Sequence, residues 1–158
     1  AAWAVDRGLD PHDSAEAAST VTRYRKALAL SNEERDRLTG ILRDLSRLSQ
    51  AWSSFGIAQR KRLLASPTCE DALRLVTVLF PIIGDDICTE AQALARTHGG
   101  IQPPPLVNGD DLVTLGIAEG PAIGNILTQI YDAQLEGACR SFDDAITLAR
   151  ELAASGGV

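Results

Sequence analysis

The sequence predicts an all-α protein, a helical body followed by a small C-terminal helical tail, and three observations carry that reading. Apolar residues recur at three- and four-residue spacing along most of the chain. Serine and acidic residues sit together where N-caps belong, and no segment sustains the alternation of a strand. The chain is also long enough to fold without staples: a compact protein of 158 residues buries roughly 70% of its unfolded surface.

The elements follow in order. Pro11 and Asp13-Ser14 precede an Ala-rich stretch that predicts a helix to Leu30. Ser31-Asn32-Glu33-Glu34 has the form of a capping box, a hydroxyl for one orphan N–H and a Glu side chain for another. The helix it opens carries Leu38, Ile41, Leu42, Leu45 and Leu48 as one stripe, with Arg43 and Arg47 on the opposite face. Trp52 to Gly56 reads as a connection and Ala58 to Ala65 as a short helix. Ser66-Pro67 predicts the cap and first position of a helix that runs to Phe80, where Pro81 stops it. Asp85 to Thr97 predicts another. The stretch Gly99-Gly100-Ile101-Gln102-Pro103-Pro104-Pro105 then reads as a stiff, extended linker. A boundary there divides a body, residues 1–100, from a tail, residues 101–158. In the tail, Asp110 to Leu115 is a short helix, Gly120-Pro121 opens a longer one, and Ser141-Phe142-Asp143-Asp144 caps a last one toward Ala153. Ser155-Gly156-Gly157 reads as a frayed end.

Composition excludes several classes. Apolar residues make up 45% and charged residues 23%, the balance of a folded globular chain rather than a disordered one. No apolar run has the length of a membrane span, and the start has neither the basic flank nor the apolar stretch of a signal peptide, which points to a cytoplasmic protein. The sequence contains no methionine and reads as a segment of a longer protein. Cys69, Cys88 and Cys139 are odd in number and far apart, as expected of reduced, mostly buried thiols. His12-Asp13 lacks the further ligands that an HD metal site needs, Asp110-Asp111 and Asp85-Asp86 suit helix starts, and no base is paired with a nucleophile. The chain is therefore expected to hold no catalytic residue and no metal.

Charge is the feature that points to a partner. Residues 23–62 carry a net +6, whereas the rest of the chain carries −12. Such asymmetry suits a polyanion, with Arg43, Arg47 and the triplet Arg60-Lys61-Arg62 as the candidate contacts. The other reading of the same pattern is a set of solvated helix faces. Between Leu112 and Gly124, the opening at Gly120-Pro121 would leave helix N–H groups turned toward a phosphate, so Gly120 joins the candidates. Packing of two short helices explains that stretch as well.

Gly109-Asp110-Asp111-Leu112, Leu115-Gly116-Ile117, Gly120-Pro121-Ala122-Ile123-Gly124, Leu127 and Ala133-Gln134-Leu135-Glu136-Gly137 together resemble the C-terminal tail of bacterial tRNA nucleotidyltransferases and their poly(A) polymerase relatives. Leu30-Ser31-Asn32-Glu33-Glu34-Arg35-Asp36-Arg37-Leu38 and Lys61-Arg62-Leu63-Leu64-Ala65-Ser66-Pro67 resemble the helical body of the same family. The resemblance implies an RNA-binding body and tail that position tRNA for addition of CCA, or only A, to its 3′ end. It implies that Mg²⁺, ATP and CTP belong to an N-terminal catalytic head not recognisable here, which would be a partner of this segment. Glu70-Asp71-Ala72-Leu73-Arg74 has the form of the family's nucleotide-selecting E-D-x-x-R, but its setting after Lys61 to Pro67 matches the body, and it reads as a helix N-terminus. The alternative to RNA binding is an all-helical module that docks a partner protein.

Overall fold

The computed structural model describes Thr22 and residues 29–155 apart from Glu119. The helix expected from Pro11 falls almost wholly outside these residues, as do His12, Arg23, Arg25, Lys26 and the terminal Gly156-Gly157. The fold is all-α. Seven α-helices are described: α1 (Asn32–Ser46), α2 (Ile57–Leu64), α3 (Cys69–Leu79), α4 (Pro81–Ala95), α5 (Gly109–Thr114), α6 (Pro121–Glu136) and α7 (Phe142–Ser155), with no strand among the described residues.

The capping box forms as its residues dictate. Glu34 N donates to Ser31 Oγ at 3.2 Å, and Ser31 N donates to Glu34 Oε2 at 2.8 Å. Those bonds hold the Glu34 carboxyl below the ordinary carboxylate range. The stripe lies inside, with Leu42, Leu45 and Leu48 buried and Leu38 and Ile41 packed at its edge. The helix does not stop at Ser46: a π turn, Arg47–Ala51, and a single 3₁₀ turn, Trp52–Ser54, carry it through part of the expected connection. These turns seat Trp52 in the core beside Leu63, Cys69, Ala72, Val76 and Ile87.

Two boundaries differ from the sequence expectation. Pro81 does not merely stop α3. It is the first residue of α4, where its missing N–H is not needed, and Phe80 before it leaves the helical region at φ −137°, ψ 71°. The hairpin this makes is tight. A Cβ on Gly84 would lie 2.6 Å from the Thr77 Cα, so only glycine lets α4 approach α3 this closely. The second difference is at Ser66-Pro67, which forms a turn; α3 begins at Cys69 and has no side-chain cap. The hydroxyls that would cap it are committed elsewhere. Ser66 Oγ and Thr68 Oγ1 both donate to Asp44 Oδ2, at 2.6 and 2.5 Å. Asp44 is fully buried on α1, so these bonds fasten α1 to the α2–α3 turn from inside.

A second cluster joins Val107, Leu112, Ile126, Ile130, Cys139, Ala145 and Ala149 of α5, α6, α7 and their connections. The polyproline segment between the clusters is clamped onto α6. Tyr131 Oη donates to the Pro103 carbonyl at 3.0 Å, Gln134 Nε2 donates to that of Pro104 at 2.8 Å, and Pro103 is buried. Helix α2 packs directly on α6. Ser141 and Asp144 cap α7 reciprocally, and Asn108 and Asp111 do the same for α5, which accounts for one carboxylate of the Asp110-Asp111 pair.

Two outcomes follow from this packing. Asp44→Ala strips a buried acceptor from two hydroxyls and should cost about 2–3 kcal/mol, read as a lower urea midpoint; Asp44→Asn, which keeps an oxygen, should cost less, and an unchanged midpoint in the alanine variant would contradict the anchoring role. The buried Cys69 thiol has its pKa pushed up from 9.0 to about 11, first by burial and then by the charge of Asp44. The folded state therefore holds the neutral thiol where the unfolded state ionises. Its contribution is complete below pH 9 and fades as pH rises toward 11. The stability difference between wild type and Cys69→Ala should shrink across that window.

Candidate nucleic-acid interface

Successive residues on a helix point about 100° apart, and α2 accordingly sends its basic triplet in three directions. Arg60 stacks its guanidinium over the Trp52 ring, 5.3 Å from the centroid, and donates to Glu90 at 3.1 Å and to the Trp52 carbonyl at 3.2 Å. Lys61 is 2% exposed. Arg62 lies over the Tyr131 ring at 5.2 Å and pairs with Asp132 at 2.6 Å, both side chains remaining part exposed. As surface cations Arg60 and Lys61 are thus engaged or withdrawn, and Arg62 is the most exposed of the triplet.

The two arginines of α1 and the π turn behave as the stripe opposite them requires. Arg43 is exposed, its Nε 3.5 Å from Asp44 Oδ1, and Arg47 is exposed and makes no ion pair among the described residues. Arg43, Arg47 and Arg62 come together on one concave cleft of about 440 Å³, which Phe55, Gln59 and Ser66 complete. The cleft is open, basic, and carries one aromatic ring. Asp44 forms part of its wall and spends one oxygen on Ser66 and Thr68, while Oδ1 is buried without a hydrogen-bond donor.

Elsewhere the positive charge is paired, with acids both inside the basic segment and beyond it. Arg37 pairs with Asp71 at 2.7 Å, an interaction that lowers the pKa of the carboxyl, and Arg35 with Asp36 at 2.6 Å. Arg74 and Glu70 pair with each other at 2.6 Å, so the E-D-x-x-R residues answer one another and Arg37 on an exposed face. Gly120 is the N-cap of α6, at φ 153°, and a Cβ added to it would meet nothing within 4 Å. It is eleven residues before Tyr131, a distance of about 16 Å along a helix, and it does not line the arginine cleft. What the sequence did not single out is Phe55, Gln59 and Tyr131; a lone aromatic in a short connection carries no signal of its destination.

Among the described residues no three His, Cys, Asp or Glu side chains stand close enough to hold a metal ion. No described helix is long and apolar enough to cross a membrane. No protein-family model, no curated protein and no solved structure matches the chain.

Proposed function

We propose that this chain is an RNA-binding helical segment, the body and tail of a tRNA nucleotidyltransferase or poly(A) polymerase-like enzyme, that holds RNA by its phosphates while a catalytic head elsewhere in the protein adds nucleotides to the 3′ end. One observation carries the reading: arginines from two different helical segments, Arg43 and Arg47 on one side and Arg62 on the other, converge on a single open cleft. Guanidinium groups match phosphate oxygens in a planar, two-pronged geometry, and such contacts fix position rather than sequence. Phe55 offers a face on which an unpaired base can stack. The family assignment rests on the sequence resemblance; the cleft supports the RNA part of it. In this reading the parent works in the cytoplasm and its head supplies the Mg²⁺, ATP and CTP chemistry.

The competing reading, a protein-docking module, draws on exposed apolar side chains at the α3–α4 hairpin, Val78 at 75% and Ile82 at 80%. A tRNA titration decides between them. Wild type should bind with an affinity that falls steeply with salt, because each neutralised phosphate releases counterion. Arg43→Gln with Arg47→Gln should weaken binding and flatten the log–log slope by about one unit per lost contact, with folding intact because both side chains are outside the core. Arg60→Gln should change the slope little. Absence of binding at low salt, or a slope indifferent to the double substitution, would favour the docking module.

A further inference from the structure

Among the described residues Lys61 is the largest side chain that is fully buried, and nothing in the RNA reading uses it. It lines a pocket of about 230 Å³, open to solvent, where α2 meets the polyproline connection and α6, together with Arg62, Ser66, Gln102, Tyr131 and Leu135. No acid lines this pocket. The Lys61 ammonium makes no hydrogen bond or ion pair with any described residue, and it is not among the wholly enclosed side-chain atoms that lack a hydrogen bond, so it keeps some contact with solvent. Burial lowers its pKa from the ordinary 10.5. A buried cation without a partner is costly, and proteins meet that cost with a counter-charge.

The neighbouring groups fit an anion. Arg62 uses Nε on Asp132 and Nη2 on the Thr128 carbonyl, which leaves Nη1 free to donate. The Gln102 amide makes no hydrogen bond among the described residues. The hydroxyl protons of Ser66 and Tyr131 are committed to Asp44 and to the Pro103 carbonyl, so neither competes for the lysine as an acid would. The volume is several times the ~30 Å³ that one water occupies. We propose that this pocket is a binding site for a small free oxyanion of the phosphate class, with Lys61 Nζ as its principal ligand and Arg62 and Gln102 as supporting donors.

The sequence has two lysines, Lys26 and Lys61, so their side-chain NMR signals report the site directly in the full chain. Inorganic phosphate, titrated against chloride at constant ionic strength, should move the Lys61 signal saturably and raise the thermal midpoint by a few degrees. Lys61→Met, an apolar chain of similar length, should melt no lower than wild type in chloride and lose the phosphate-dependent rise. The Arg43→Gln, Arg47→Gln variant should keep that rise, which separates this site from the RNA cleft. A Lys61 signal unmoved by phosphate overturns the proposal without any variant. So does a phosphate-dependent rise that survives in Lys61→Met, or one that disappears with Arg43 and Arg47. An RNA oligonucleotide that moves the Lys61 signal where free phosphate does not would also overturn it.

Discussion

A single buried carboxylate organises the body of this protein. Asp44 accepts two short hydrogen bonds from the turn between α2 and α3 while sitting on α1, and no solvent reaches it. A buried acceptor in that position costs stability unless donors reach it, and the two hydroxyls of the turn supply them to Oδ2. Its geometry therefore admits one register of α1 against the turn. That register sets the leucine stripe against α3 and places the solvent face of α1 beside the exposed edge of α2. The arginine cleft is the outer side of the same arrangement, with Arg43 attached to the neighbouring residue and Asp44 itself in the wall. Core and candidate interface are two faces of one constraint.

The second constraint is the seam between α2 and α6. It is built from mixed chemistry: a guanidinium over a phenol ring, an ion pair, and main-chain carbonyls of consecutive prolines that accept bonds from Tyr131 and Gln134. Prolines have no N–H to satisfy, and their carbonyls are held in an extended row. A segment of this composition can be laid along a helix and bonded from one side only. The stiffness that marks it as a linker in the sequence also makes it a good strap.

How far the sequence could be read depended on the separation between partners. The Ser31–Glu34 and Ser141–Asp144 caps were legible because donor and acceptor lie three residues apart. The leucine stripe was legible because it needs only helical period. Pro81 was read as a stop when it is also a start, since the same missing N–H serves either end of a helix junction. The Ser66 hydroxyl looked like a cap, and nothing nearby revealed that it and Thr68 would find an acceptor on α1, more than twenty residues earlier. The arginines were countable but their destinations were not: Arg60 finds Glu90 thirty residues on, and Arg62 finds Asp132 seventy residues on. The excess charge of residues 23–62 was a real feature of the chain, but acids brought in by the fold decide how much of it a ligand can meet.

Arg62 belongs at once to the cleft, to the α2–α6 seam and to the rim of the lysine pocket. An exposed ion pair such as Arg62–Asp132 is worth only about 0–1 kcal/mol, so an incoming phosphate can exchange for the carboxylate at little cost. In the proposed RNA-binding reading, Asp132 would act as an internal competitor that holds the guanidinium in shape until it is claimed. Exchange would loosen one bond of the seam and so couple occupancy of the cleft to the grip of the body on the tail. By linkage the coupling runs both ways: whatever tightens the seam makes the arginine harder to recruit, and whatever takes the arginine gives the tail more freedom to turn.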